Sequence, residues 1–366
     1  MAKVKRELKL IEVGGTPFQI GFQYGEACPE IKKMLALTYK ELEGVGLGRA
    51  AVAPLVQKYI PPIEEFAPEI LDMLKGIAEG AKVGFEEICL LNVWLDIVSR
   101  KLMQGGCTSF IASGEATSNG ETIIGQNIDR RPALEETLAV LKIKPNQGPQ
   151  SLAITLTVGS LGIVGLNSAG LGVNANMVLH KASVSSHGGV PMAAIGTKLL
   201  ATENMAKAIG VIASAVKISV ASATSHLMAV LLASGEGDSV NVEAIPDDLS
   251  VLYPEKGIIA RANHFQTDRF KSGDLMVTLA PDSFVRSQRL LTLMTQHYGK
   301  LSVDVMKELM QDHNDYPDSV CRHGDKTFPP DQQRKSNATI ISNLSEKKTY
   351  IAWGNPCQNE FTEYKL

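Results

Sequence analysis

A chain of 366 residues is long enough for one large layered α/β domain or roughly two average ones. With 44% hydrophobic residues it has ample material for a packed core, which excludes a disordered chain. A formal charge of −3, from 36 basic against 39 acidic side chains, gives no field of one sign and argues against nucleic-acid or anionic-membrane partners.

The first ten residues carry charge but no following apolar run, so they do not read as a secretory signal. Up to about residue 104 the period is helical, with Ile31, Met34, Leu35 and Leu42 on one face. Pro68 opens a helix whose apolar face is Ile70, Leu71, Leu74, Ile77 and Ala78, and which Gly76 and Gly80 should weaken. Phe85, Ile88, Cys89, Asn92, Leu95 and Val98 form another amphipathic run. The period then changes at Gly105-Gly106-Cys107. Residues 108–112 read as a strand, Ser118-Asn119-Gly120-Glu121 as a hairpin turn, and 122–127 as the returning strand. Further strands are predicted at 137–144, 152–158, 163–167 and 170–176, and a helix over 191–217. Strands resume at 225–232, 240–244 and 258–261, a helix follows over 283–297, and strands at 338–342 and 349–353 close the chain. The most apolar stretch, 211–234, is interrupted by Lys217 and His226 and does not read as a membrane span. Runs of consecutive strands separated by helices predict an α+β fold rather than regular βαβ winding. The one boundary falls at Gly106/Cys107, dividing a helical preface (1–106) from a strand-rich part (107–366).

That boundary is where the sequence carries chemistry. The five cysteines (Cys28, Cys89, Cys107, Cys321 and Cys357) are scattered and form no C-x-x-C pair, so a reducing, cytoplasmic setting is expected rather than a disulfide framework. A thiol of pKa about 8.5 needs a nearby base, and lysine, at about 10.4, is a poor one. A chain α-amine titrates near ~7.7–8.0, so a cysteine that becomes a new N-terminus brings its own base. Creating that amine requires attack of the Cys107 sulfur on the Gly106 carbonyl, an N-to-S acyl shift, and hydrolysis of the thioester. Gly105 and Gly106, lacking Cβ, suit that close approach. The competing reading of Cys107 alone is a small buried hydrophobe at a strand start.

Gly106-Cys107-Thr108-Ser109-Phe110, then Asn119-Gly120 and Gly125-Gln126-Asn127-Ile128-Asp129, resemble the isopenicillin N acyltransferase family of N-terminal-nucleophile hydrolases. Segments around Leu74–Ala81 and Leu91-Asn92, then 167–176, Asn263-His264-Phe265, Asp282–Arg286, Cys321-Arg322-His323 and Trp353–Cys357 are similar to family segments in family order. The resemblance implies a four-layer αββα sandwich, cleavage before Cys107, and amide acyl-transfer chemistry. It implies Cys107 as nucleophile and, once cut, as α-amine base, and Asp129 as the acid that orients it; paired with Arg130 or Arg131, Asp129 would instead be a loop acid. Asn263 is implied as an oxyanion donor, the alternative being a turn-forming Asn. Asn176 is a second candidate by analogy with bile-salt and penicillin V acylases, although Asn174 lies on the same strand face by period two. Arg286 and Arg322 are candidates to bind a substrate carboxylate, or else make surface ion pairs.

Other constellations compete. His264 would make a papain-like dyad with Cys107, or is a structural histidine. His313, Cys321 and His323 carry ligating groups, but the gap after His313 and the want of a fourth ligand lead to the expectation of no metal site. No redox cofactor is called for. The sequence reading is therefore a self-processing cysteine amidohydrolase acting on a small N-acyl compound, such as an N-acyl amino acid or a penicillin-like amide, with its two fragments remaining associated. An acyl-coenzyme A-dependent acyltransferase is the alternative within that chemistry, and an uncut binding or regulatory relative the alternative outside it.

Overall fold

A computed structural model describes residues 3–98, 106–183, 188–221, 228–330 and 332–366; Gly105 and the start of the strand expected from residue 225 lie outside them. Six helices fill the first hundred residues: α1 (Pro17–Ala27), α2 (Ile31–Gly44), α3 (Arg49–Gln57), α4 (Ile60–Phe66), α5 (Pro68–Ala81) and α6 (Phe85–Val98). The remaining helices are α7 (Met192–Leu200), α8 (Met205–Ala221), the single turns α9 (Asp268–Lys271) and α10 (Met276–Leu279), α11 (Asp282–Gln296) and α12 (Val303–Leu309).

The larger sheet runs β1 (Leu10–Gly15), β4 (Val140–Pro145), β5 (Ser151–Thr155), β6 (Gly162–Asn167), β7 (Leu171–Met177), β8 (Met228–Ser234), β9 (Ser239–Ile245), β10 (Asp248–Leu252). The smaller runs β11 (Ile258–Arg261), β2 (Gly106–Gly114), β3 (Gly120–Arg130), β12 (Lys335–Asn343), β13 (Lys348–Trp353), β14 (Phe361–Lys365). Strands β2 and β3 pack on β7 and β8, so the sheets lie face to face. Helices α7 and α8 cover the outside of the larger sheet, and α11 and α12 that of the smaller. This is the expected αββα sandwich.

The preface is not purely helical. Strand β1 joins the larger sheet parallel to β4, with Ile11 and Val13 buried and Leu10 and Glu12 exposed. Its alternation is legible, but six residues ahead of a helix give little length to read. Nor is the preface a separate body: Leu8, Ile77 and Trp94 share one apolar cluster with Val140, Val164 and Ile195. The helix predicted over 191–217 is divided at 201–204, and residues 132–137 form a 3-10 turn before β4.

Gly76 and Gly80 do more than weaken α5. A Cβ on Gly76 would lie 2.2 Å from the Phe18 carbonyl oxygen and one on Gly80 2.1 Å from that of Phe22. Reciprocally, Gly21 and Gly25 on α1 would meet the Met73 and Ile77 carbonyl oxygens at 2.0 and 2.3 Å. The two helices therefore touch backbone to backbone, which only Gly permits. Gly76→Ala should destabilise the fold by about 1–3 kcal/mol, read as a shift in the urea midpoint. A change below about 0.5 kcal/mol would mean the helices separate without cost.

Candidate active site

The β2–β3 hairpin reverses over residues 115–119, earlier than the expected turn at Ser118-Asn119-Gly120-Glu121: Gly120 already pairs with Gly114. A register shift between Ala112 and Gly114 leaves Gly106 opposite Asp129 and Cys107 opposite Ile128. Cys107 is half-buried at the start of β2, beside a cavity of about 20 Å³ lined by Gly106, Gln126, Asp129, Ala175, Met177 and Asn263. That volume holds about one water molecule.

The backbone N–H of Cys107 donates to Asn263 Oδ1 at 2.9 Å. Arg286 Nη2 donates to the same oxygen at 3.1 Å, while Asn263 Nδ2 donates to the Met177 carbonyl at 2.9 Å. Two donors on one side and an acceptor on the other fix the orientation of this amide. Asn263 is positioned from behind by Ser283, whose Oγ accepts its backbone N–H at 2.7 Å.

Arg286 projects from α11 and is fully buried. It donates through Nη1 to the Cys107 carbonyl at 2.8 Å and Thr108 Oγ1 at 2.7 Å, and through Nε to Asp282 Oδ2 at 2.9 Å. Asp282 also takes Arg322 Nη2 at 3.2 Å. Burial alone would raise the Asp282 pKa, but Arg286 and Arg322 hold it below the ordinary carboxylate range.

Asp129 is fully buried; its Oδ1 accepts from Ser336 Oγ at 2.8 Å, and Oδ2 has no hydrogen-bond partner among the described residues. Arg286 Nη1 lies 4.0 Å from that second oxygen. Burial pushes the Asp129 pKa up against the opposing pull of Arg286 and Arg322. The Cys107 thiol is pushed up to about 11 by burial and then by Asp129, with Arg130, a Gln126 hydrogen bond and Arg286 pulling the other way. In the uncut chain this sulfur is a protonated thiol at neutral pH. A Cβ on Gly106 would stand 2.9 Å from Arg322 Nη1, 3.2 Å from Asp129 Oδ2 and 3.4 Å from Arg286 Nη2. Gly106 thus sits in a cradle of one carboxylate and two guanidinium groups.

A description of acyl-coenzyme A:6-aminopenicillanic acid acyl-transferases matches residues 116–358, about two thirds of the sequence. This chain belongs to that family. The acyl-transferase match begins after Cys107, so the hairpin geometry places the thiol independently of it. The 40 kDa form of the acyl-coenzyme A:6-aminopenicillanic-acid-acyltransferase of Emericella nidulans is 27% identical over 317 residues, covering 84% of this chain and 83% of that protein. An uncharacterized protein of Archaeoglobus fulgidus is 25% identical over 203 residues, 46% of this chain and 32% of that one. Among solved structures, a conjugated bile acid hydrolase mutant from Clostridium perfringens overlaps with a TM-score of 0.44 at 13% identity, covering 71% of this chain and 97% of that one. A penicillin V acylase from Agrobacterium tumefaciens overlaps with a TM-score of 0.44 at 14% identity, covering 68% of this chain and 83% of that one. As an acyl-transferase family member the chain is an enzyme of acyl-transfer or amide chemistry.

The residues expected at the site do not all stand as expected. Cys107, Asp129, Asn263, Arg286 and Arg322 are brought together around Gly106. Asn263 presents its oxygen, not its NH2, to Cys107, because Met177 takes the NH2. Arg286 directs four hydrogen bonds to Asp282, Asn263, Thr108 and the Cys107 carbonyl, which clamps the backbone at Cys107. Arg322 bonds Asp318 and Asp282 while Nη1 points to Gly106. Of the two asparagines on β7, Asn176 reaches Cys107, donating to its carbonyl at 3.4 Å and accepting from Ser109 Oγ at 2.7 Å. Asn174 Nδ2, two residues back, has no partner among the described residues.

His264 makes no dyad. Its Nδ1 bonds Ser283 Oγ at 2.8 Å, its ring stacks on Phe284, and it lines a different cavity of about 680 Å³ between β11 and α11. Burial, then Arg261 and Arg286, lower its pKa to about 4. Asp129 pairs with neither Arg130 nor Arg131; Arg131 instead meets Glu41 at 3.2 Å. Sequence reasoning assigned no role to Thr108, Gln126, Asp282 or Ser336. Asp282 carried a readable signal, four residues before Arg286 on one helix. The premise that His313, Cys321 and His323 lack a fourth ligand is also corrected, since Cys357 joins them. Among the described residues no helix is long and apolar enough to cross a membrane.

Proposed function

We propose that the chain cuts its own Gly106–Cys107 bond and then works as a cysteine N-terminal-nucleophile amidohydrolase. The observation that carries this reading is the seat of the Cys107 peptide nitrogen on Asn263 Oδ1, with Gly106 filling the cradle of Asp129, Arg286 and Arg322. The nucleophile's cavity is too small for a substrate while Gly106 occupies it, so cleavage vacates the acyl site as well as creating the base.

In maturation, Cys107 Sγ adds to the Gly106 carbonyl carbon. The C–N bond breaks, and the thiol proton ends on the nitrogen, relayed by the unpartnered oxygen of Asp129. Water then hydrolyses the thioester, leaving a Gly106 carboxylate and a Cys107 thiol with a new α-amine. In turnover, the amine takes the thiol proton as sulfur attacks the amide carbonyl, and returns it to the leaving amine. Water releases the acid from the thioester and restores the thiol. Asn263 Oδ1 orients the amine, and Asn176 Nδ2 is the side-chain donor for the oxyanion. The two fragments stay associated, because the preface contributes β1 to a sheet and its apolar face to the common core. A reducing cytoplasm suits an enzyme whose five cysteines are joined by no disulfide.

A groove of about 870 Å³ adjoins the cradle through Asp282 and Arg322. It also holds Arg131 and Arg334, together with Leu37, Leu279 and Phe328. The Arg334 pKa is lowered to about 10 by burial and by Arg322 and Arg131, and the Nε atoms of Arg131 and Arg334 have no hydrogen-bond partner among the described residues. Glu41, Asp282, Asp318 and Asp325 line the same groove, where Glu41 pairs with Arg131, and Asp282 and Asp318 with Arg322. Arg334, which has no ion-pair partner among the described residues, is therefore the cation that would meet an anionic substrate, an N-acyl amino acid or a penicillin-like amide. It would also take the phosphates of acyl-coenzyme A, the donor named for the Emericella relative, which is the second reading. Assaying mature protein against N-acyl amino acids, their neutral carboxamides, penicillins and acyl-coenzyme A separates these. Carboxylate-bearing amides should be cleaved at least ~10-fold better than neutral ones, equivalent to about 1.4 kcal/mol. Equal rates on neutral amides would remove the anionic-substrate reading, and turnover only with acyl-coenzyme A plus an amine acceptor would establish transfer.

A further inference from the structure

We propose that His313, Cys321, His323 and Cys357 form a structural zinc site that fixes Arg322 in place. One ligand atom from each lies within 4.8 Å of all the others. The two His Nε2 atoms are 3.1 Å apart and the two sulfurs 3.6 Å apart. His323 Nε2 stands 3.6 Å from Cys321 Sγ and 3.4 Å from Cys357 Sγ. A tetrahedral Zn²⁺ with Zn–S of about 2.3 Å and Zn–N of about 2.05 Å requires edges of roughly 3.8 Å (S–S), 3.3 Å (N–N) and 3.6 Å (S–N). Four of the six edges agree with these within about 0.2 Å, and the two from His313 to the sulfurs lie within 4.8 Å.

Hydrogen bonding alone does not account for the arrangement. His323 Nε2 offers either one proton or one lone pair, yet three heavy atoms converge on it at 3.1 to 3.6 Å. A central cation satisfies all of them at once. Two imidazoles and two thiolates give a closed, charge-neutral set for a divalent ion of borderline softness, which selects Zn²⁺ over Mg²⁺ or Ca²⁺. The supporting shell is present as well: Asn355 Nδ2 lies 3.6 Å from Cys321 Sγ and donates to the Arg322 carbonyl at 2.7 Å.

The ligands come from three segments: the loop after α12, the Cys321-Arg322-His323 triplet, and the turn after β13. Arg322 is thereby flanked by two ligands. Its backbone N–H donates to Ser336 Oγ at 3.0 Å, and that hydroxyl donates to Asp129. The metal would pin the strand of chain that delivers one guanidinium to Gly106 and one hydrogen bond to Asp129. Metal binding itself does not depend on the proposed maturation or substrate.

The test is metal analysis of the full-length chain, purified without chelator, with the uncut Cys107→Ala protein in parallel so that binding is read apart from activity. Near one zinc per chain is expected in both. Cys321→Ser and Cys357→Ser should each lower that content at least ~10-fold, whereas Cys28→Ser and Cys89→Ser should not, and Asn355→Ala should weaken affinity about 10-fold. Should the ligand variants fail to fold, Co²⁺ added to metal-stripped wild type decides the matter. Intense tetrahedral d–d bands with sulfur-to-cobalt charge transfer support the site. Neither zinc in the purified chain nor any cobalt spectrum overturns it, as does a Cys321–Cys357 disulfide in protein purified under reducing conditions.

Discussion

Cys107→Ala should leave one unbroken chain of 39.4 kDa and lower acyl-transfer activity by at least about 10³-fold. The substitution removes the sulfur that attacks Gly106 and the sulfur that attacks substrate, while the hairpin, the Asn263 contact to the backbone nitrogen and the Arg286 clamp on the Cys107 carbonyl all survive it. Intact mass of the wild type should show two fragments, and N-terminal sequencing of the larger should begin Cys-Thr-Ser. In the mature enzyme the base is an amine, which accepts a proton only when neutral. The rate should therefore fall as pH drops through the α-amine range of ~7.7–8.0 and level off above it. Two fragments from Cys107→Ala, or undiminished activity in a single chain, would remove both maturation and nucleophile at once.

Asn263→Ala should slow both maturation and turnover by about 10²-fold, because the Cys107 nitrogen loses the acceptor that positions it. Here the direction of the amide makes a sharper comparison possible. Asn263 offers oxygen to the Cys107 nitrogen and to Arg286, and nitrogen only to Met177. Asn263→Asp keeps that oxygen and should retain distinctly more activity than Asn263→Ala, despite losing the bond to Met177. An oxyanion donor would behave in the opposite way, since a carboxylate cannot donate and repels the developing charge. Equal or worse activity in the aspartate variant would return Asn263 to the oxyanion role and leave the amine without its acceptor.

The reach of sequence reasoning follows the range of the interactions involved. The pair of strands β2 and β3 is readable from their apolar runs around a turn signal, but the reversal over 115–119 and the bulge after Ala112, which bring Asp129 opposite Gly106, are not. Strand β11 fell where predicted, as did the helix carrying Arg286. By contrast, β1 escaped because its pairing partner lies in β4, far along the chain. Gly76 and Gly80 read as helix weaknesses until α1 was seen to press its own backbone against them. Asn174 and Asn176 were equivalent by period, and only the stacking of β7 on β2 shows which of the two meets Cys107.

The amino-acid order by itself determined the α+β class and the existence of the hairpin, which are written in periodicities a few residues long, while Cys107 and Asp129 stood out through the resemblance of residues 106–110 and 125–129 to family segments. Tertiary packing alone decided which way Asn263 faces, that Arg286 clamps the Cys107 carbonyl, that His264 serves another cavity, and that Cys357 lies beside His313, Cys321 and His323. Each of those depends on donors, acceptors and burial supplied by segments tens to hundreds of residues away, and no local pattern encodes where such segments meet.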